Sequence, residues 1–129
     1  MAKVVRHALV VEDEMIIALE VEILLRDLGL ASVDFASSTA EALERAIGRR
    51  PDLITADIRI VGGTGIDAIQ SIVRQLGTIP HFYVTGNLDM LRDVAAPAVV
   101  EKPIDHWQFR RAFEAVVGPI LGAEGHHAR

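Results

Sequence analysis

Short apolar runs alternate with amphipathic segments along most of the chain. Residues 8–11 and 53–56 are mostly apolar runs of strand length, typical of strands that are buried on both faces of a parallel sheet. Residues 15–28 and 65–76 instead carry apolar side chains at helical spacing. This alternation, with short connections throughout, predicts an α/β fold in which helices cover both faces of a parallel sheet.

Capping residues help to set the limits of these elements. Ser38 and Glu41 have capping-box spacing, and Asp105 is placed to cap a last helix in which Trp107 is expected to pack in the core. The pattern predicts strands over residues 8–11, 31–35, 53–56, 79–84 and 98–101, and helices over residues 15–28, 39–47, 65–76 and 105–117.

The composition is that of one ordinary globular domain. The chain has 129 residues, of which half are hydrophobic and a quarter charged, so we expect a single domain with a core at about 7–118 and a short tail at 119–129. The net charge of −5 argues against nucleic-acid binding. Cysteine is absent, which excludes disulfides and thiolate chemistry. No segment has membrane-spanning length, so we expect a cytoplasmic protein that does not bind membranes.

Polar side chains follow four of the five predicted strands, at the point where each strand ends. Glu12 and Asp13 follow the first strand, Asp57 the third, Thr85 the fourth and Lys102 the fifth. A lone aspartate after a strand commonly serves only to form a turn. The carboxyl ends of parallel strands meet at one edge of a sheet, however, so we expect these five side chains to lie close together.

Such a set of groups favours phosphoryl chemistry. Converging carboxylates repel by about 4 kcal/mol per pair at 4 Å and an effective dielectric near 20, so they need a cation. An all-oxygen site suits Mg²⁺, which keeps several of its waters. A carboxylate can attack phosphorus to form an acyl phosphate, and Asp57 on the central strand is best placed to do so. Lys102 and Thr85 would then bind phosphoryl oxygens.

The sequence resembles the receiver domain of two-component response regulators over residues 7–118. The resemblance implies a flavodoxin-like (βα)5 fold with a doubly wound, five-stranded parallel sheet of strand order 2-1-3-4-5. It also implies a cis peptide between Lys102 and Pro103. The matching stretches are Val10-Val11-Glu12-Asp13-Glu14, Asp57 followed by Gly65, Val84-Thr85-Gly86 and Glu101-Lys102-Pro103.

The resemblance further implies the chemistry of the site. Asp57 would be phosphorylated by a sensor histidine kinase or by a histidine phosphotransfer protein. Mg²⁺ would be held by Glu12, Asp13, Asp57 and the backbone carbonyl of Arg59. The protein would then be a phosphoacceptor that assists its own phosphorylation and dephosphorylation, without being an enzyme.

Three features depart from the commonest receiver pattern. Val61 stands where a proline is usual, which suggests a looser loop after Asp57, and Val99 stands where an aromatic switch residue is usual. The interval between Thr85 and Lys102 is several residues short, so a fourth helix at about 88–95 can have two turns at most. The stretch 82–86, Phe-Tyr-Val-Thr-Gly, is similar to a subgroup of often stand-alone receivers with a reduced fourth helix.

The leading hypothesis is therefore a single-domain response regulator that signals through an unknown protein partner, as a monomer or weak homodimer. One alternative is a small Mg²⁺-dependent phosphohydrolase with Asp57 as nucleophile. Such enzymes need a second acid/base carboxylate, and Arg59 stands two positions after Asp57. The other alternative is a receiver-like scaffold that binds partners without phosphorylation.

Overall fold

The computed structural model describes residues 4–94 and 96–118. Its strands are β1 (His7–Val11), β2 (Ser32–Ala36), β3 (Leu53–Ala56), β4 (Arg59–Ile60), β5 (Gly63–Thr64), β6 (His81–Thr85) and β7 (Val99–Glu101). Its helices are α1 (Met15–Asp27), α2 (Thr39–Gly48), α3 (Gly65–Leu76) and α4 (His106–Val117). The five predicted strands and four predicted helices are all confirmed, with limits that differ by two residues or fewer. The predicted tail lies outside the described residues.

Five of the strands form one parallel sheet in the order β2-β1-β3-β6-β7. This is the predicted order, since β6 and β7 are the fourth and fifth strands of that sheet. Val11 at the end of β1 pairs with Ala36 at the end of β2 and with Ala56 at the end of β3. Because these strands finish in register, the loops that follow them leave the sheet at one edge.

Helices cover both faces of this sheet. Ala8 and Val10 of β1 pack in the core beneath α1 and α4, whereas Leu9 and Val11 pack in the core beneath α2 and α3. Successive strand residues point to opposite faces, so a strand that is covered on both sides has no polar face. This accounts for the apolar runs in the sequence.

One apolar prediction about the helices is wrong. Trp107 is 69% exposed and does not pack in the core, because α4 faces the sheet through Phe109 and Phe113. The ring of Phe109 lies edge-on to that of Phe82 at 5.2 Å between centroids. On α1, Ile16 is 81% exposed. The residues of α1 that are buried are Ala18, Val21, Leu24 and Leu25.

The helix caps bear out the sequence signals in part. The Ser38 hydroxyl accepts the Glu41 amide N–H at 3.1 Å, as expected for an N-cap, but the Glu41 carboxylate accepts the backbone N–H of Ser37 instead of that of Ser38. A complete capping box is found at the start of α3, between Thr64 and Asp67. It fixes the start of α3, which follows the loop after Asp57.

The loop after Asp57 is not loose, contrary to the expectation from Val61. Strands β4 and β5 form a short antiparallel hairpin within it. The Val61 amide donates to the Ser37 carbonyl and the Val61 carbonyl accepts from the Thr39 amide, both at 3.2 Å. The loop is therefore attached to the start of α2.

The connection between β6 and β7 forms even less helix than predicted. A single 3₁₀ turn spans Leu88–Leu91, in place of a helix of up to two turns. So short a segment gains little from helix formation by itself. Ala95, the last residue of the predicted helix, lies outside the described residues. In the part of the chain that the structure covers, no helix is long and apolar enough to cross a membrane.

We predict that Gly65→Ala destabilises the protein by about 3 kcal/mol, the cost of overpacking a rigid site. A Cβ at Gly65 would overlap the carbonyl oxygen of Asp57, and the atoms it meets are backbone. Gly48→Ala is the matched control, because Gly48 ends α2 and has open space around it. Urea denaturation should show a lower midpoint for Gly65→Ala alone. Equal midpoints for the two variants would contradict this packing argument.

Candidate functional site

The candidate site lies at the carboxyl edge of the sheet, where backbone hydrogen bonds continue beyond the strands. The Glu12 amide donates to the Ala36 carbonyl at 2.8 Å, and the Asp57 amide donates to the Val11 carbonyl at 2.9 Å. These bonds hold the first residues of both loops in line with the strands. Glu12 and Asp57 therefore leave the sheet side by side, and both are buried.

Three carboxylates converge at this edge. Glu12, Asp13 and Asp57 each offer an oxygen within 4.8 Å of the others' oxygens, as predicted from the strand ends. Glu12 and Asp57 are buried and Asp13 is exposed, so the group opens to solvent on one side. An all-oxygen donor set with an open side fits a hard cation such as Mg²⁺, which retains water ligands. Arg59 is exposed in β4, and the role of its carbonyl stays a prediction.

Lys102 follows β7 and reaches into this acidic group. Its Nζ lies 2.8 Å from Asp57 Oδ2 and 3.0 Å from Glu12 Oε1, and its side chain is 15% exposed. A third carboxylate, that of Glu14, lies 3.5 Å from Nζ. Sequence reasoning missed Glu14, although it directly follows Glu12 and Asp13. The signal was present, because Glu14 belongs to the acidic run that follows the first strand, but the sequence does not show that its side chain reaches Lys102.

Burial and the neighbouring charges shift the pKa values of two groups in the site. Burial raises the pKa of Glu12 to about 7, with a further contribution from the Asp57 charge and an opposing one from Lys102. Burial by itself would lower the pKa of Lys102, but its hydrogen bonds to Asp57 and Glu12 outweigh this and raise it. The two shifts therefore have different main causes: burial for Glu12, and the neighbouring carboxylates for Lys102.

Hydrogen bonds orient the Asp57 carboxylate. Its Oδ1 accepts the Ile58 backbone N–H at 2.7 Å, and its Oδ2 accepts from Lys102. A buried carboxylate held in one orientation beside a cation has the arrangement needed for a nucleophile whose product carries more negative charge.

Thr85 is the fifth side chain predicted for the site. It is fully buried at the end of β6, and its carbonyl accepts the Lys102 backbone N–H at 3.0 Å. Its hydroxyl oxygen accepts the Asn87 amide at 3.0 Å, so the hydroxyl proton is available for another acceptor. The peptide bond between Lys102 and Pro103 is cis, which confirms what the resemblance implied.

Comparisons with known proteins agree with this geometry. Residues 8–114 match the family model for the response regulator receiver domain. The transcriptional regulatory protein PdtaR of Mycobacterium tuberculosis is 30% identical over 120 residues, a match that covers 90% of this chain. The chain spans only 58% of PdtaR.

Two solved structures show the same fold. The REC domain of the PhyR response regulator from Erythrobacter litoralis is 29% identical, with a TM-score of 0.76 over 88% of this chain and 90% of that one. The receiver domain of the sensor histidine kinase PA1611 from Pseudomonas aeruginosa is 24% identical, with a TM-score of 0.77 over 90% of this chain and all of that one. That domain has a magnesium ion coordinated in its active-site cleft.

We predict that the metal-free protein loses stability relative to Glu12→Gln as pH rises from about 5 to 7. The pKa of Glu12 is about 7 in the folded protein against an ordinary value of 4.5. The unfolded chain therefore releases this proton first, and the free energy of unfolding falls by about 2 kcal/mol across that window. Urea denaturation of both proteins in EDTA measures the difference. Parallel pH profiles for the two proteins would contradict the prediction.

Proposed function

Because the chain belongs to the response regulator receiver domain family, we propose that it accepts a phosphoryl group on Asp57 from a phosphohistidine donor. The observation that carries this proposal is the buried Asp57 carboxylate, which is bonded to Lys102 at 2.8 Å beside two further acidic side chains. In a purely structural ion pair, the additional buried carboxylate of Glu12 would only add repulsion.

The reaction is a direct transfer. An oxygen of Asp57 forms a bond to phosphorus while the P–N bond of the phosphohistidine breaks, and the imidazole of the donor leaves with the bonding electron pair. The Lys102 ammonium lies next to the reacting carboxylate and would pair with one phosphoryl oxygen. The Thr85 hydroxyl would donate its proton to another.

Glu12, Asp13 and Asp57, together with the Arg59 carbonyl, are the groups that we assign to Mg²⁺. The support is the all-oxygen donor set and its open side. When bound, Mg²⁺ would neutralise charge on the phosphoryl oxygens and on the carboxylates that face them. The chain's own part is to hold Glu12 and Asp57 in place through the backbone bonds at the sheet edge.

We further propose that phosphorylation alters binding to another protein. The donor would be a sensor histidine kinase or a histidine phosphotransfer protein, whose phosphohistidine must reach Asp57 through the open side at Asp13. Each transfer leaves Asp57 blocked, since the phosphoryl group stays on it until water removes it. A protein of this kind transmits a signal and does not turn over a substrate pool.

We predict that acetyl phosphate adds one phosphoryl group to the wild-type protein only when Mg²⁺ is present. Intact-mass spectrometry should show the adduct in wild type and in Asp27→Asn, and none in Asp57→Asn. Asp27 is the matched control because it is an exposed aspartate at the end of α1, away from the site.

Other results would support the alternative functions. An adduct in Asp57→Asn would show that Asp57 is not the residue that accepts the phosphoryl group. Steady turnover of a phosphomonoester that depends on Asp57 would favour a phosphohydrolase. No adduct together with no binding of beryllofluoride would favour a scaffold that does not use phosphorylation.

We also predict that Thr85→Val slows phosphorylation by acetyl phosphate about tenfold, since it removes one hydrogen bond to a charged oxygen. The buried Thr85 hydroxyl is outside the acidic group, so Mg²⁺ affinity should stay unchanged. Thr55→Val is the matched control, as Thr55 is a buried threonine within β3. Equal rates in the two variants would contradict the role given to Thr85.

A further inference from the structure

The Lys102 ammonium group lies among three carboxylates that differ in their surroundings. Glu12 and Asp57 are buried, and each also belongs to the oxygen group assigned to Mg²⁺. Glu14 is 67% exposed and lies outside that group, yet its Oε1 is 3.5 Å from Nζ. An ammonium group has three protons to donate, so it can serve all three carboxylates at once.

The ammonium group and Mg²⁺ compete for the same two carboxylates, those of Glu12 and Asp57. Nζ lies 3.0 Å from Glu12 Oε1 and 2.8 Å from Asp57 Oδ2, so both carboxylates already form ion pairs with Lys102. A divalent cation at the same carboxylates would repel the ammonium group strongly in this partly buried site. Lys102 therefore has to move away from Glu12 and Asp57 when the metal site fills.

Glu14 is the partner that remains for Lys102. We propose that Glu14 is a positioning residue that holds the Lys102 ammonium at the rim of the site when Mg²⁺ occupies the carboxylates of Glu12 and Asp57. This inference rests on the proposed function. It assigns to Glu14 a role that the chemistry of phosphoryl transfer does not itself require.

Two consequences follow for the site. Mg²⁺ binds more tightly, because the competing charge has a second carboxylate to move to. The ammonium group also stays within reach of Asp57 and does not swing into solvent, so it is in place when a phosphoryl oxygen arrives. The backbone of Lys102 is fixed by its bond to the Thr85 carbonyl, so only the side chain has to move.

The role is tested by a double-mutant cycle on Mg²⁺ affinity, measured by isothermal titration calorimetry. The four proteins are wild type, Glu14→Gln, Lys102→Met and the double variant. We expect Glu14→Gln to raise the Mg²⁺ dissociation constant about threefold in the presence of Lys102, the size typical of a partly exposed ion pair. In the Lys102→Met background the same change should have almost no effect.

Glu20→Gln is the matched control for loss of one negative charge. Glu20 is on α1, which begins directly after Glu14, and among residues 4–94 and 96–118 it forms no ion pair. If Glu20→Gln and Glu14→Gln weaken Mg²⁺ binding equally, or if the Glu14 effect persists without Lys102, the effect is one of net charge and the proposal is wrong.

The cycle also separates this inference from the proposed function. If wild type binds no Mg²⁺, the metal assignment fails and the role of Glu14 fails with it. If wild type and Lys102→Met bind Mg²⁺ but Glu14→Gln matches wild type, the metal assignment stands and only the role of Glu14 is overturned.

Discussion

The ion pair between Lys102 and the buried carboxylates of Glu12 and Asp57 is the interaction on which the site depends. Two acidic groups with a single ammonium between them leave an excess of negative charge that the fold does not neutralise. Burial, with a smaller contribution from the charge of Asp57, raises the pKa of Glu12 to about 7. Buried ion pairs of this kind contribute little to stability, so their presence points to a functional site.

The sheet register makes this arrangement possible. Strand β1 lies between β2 and β3, and their ends are level, so Glu12 and Asp57 emerge next to each other. Lys102 comes from the far edge strand, and its backbone bond to Thr85 keeps its side chain directed at the acidic group. Gly65 lets α3 begin in contact with the Asp57 backbone. The candidate site is therefore built by the sheet edge as a whole.

The connection that leads to Lys102 has the least regular secondary structure between two strands of the main sheet. A 3₁₀ turn replaces a helix there, and β7 has only three residues. Val99 in β7 is partly exposed and pairs in register with Tyr83, a buried aromatic residue on the neighbouring strand. Three residue pairs in register hold β7 to β6, and the bond from the Lys102 amide to the Thr85 carbonyl continues this pairing to Lys102.

Local signals in the sequence predicted the five strands of the main sheet, the four helices, the burial of the sheet on both faces and the polar residues that follow its strands. Hydrophobic periodicity follows burial directly, so a polar residue that comes straight after a buried strand is easy to recognise. Those signals could not show that Trp107 is exposed, since an aromatic residue in an amphipathic helix gives the same pattern whether it faces the sheet or solvent. They also could not show the β4–β5 hairpin. Hydrogen bonds of Val61 with Ser37 and Thr39, which lie outside the loop, stabilise that hairpin.

Glu14 shows the same difference between what the sequence and the structure reveal within the site. The sequence places it beside Glu12 and Asp13, but its distance from Lys102 depends on how β1 and β7 are brought to one edge from opposite parts of the chain. The sequence by itself determined which groups are present, because side-chain chemistry and strand periodicity are local. Only the tertiary structure decided which carboxylates share the ammonium group, because charge–charge interactions depend on distances between residues far apart in sequence.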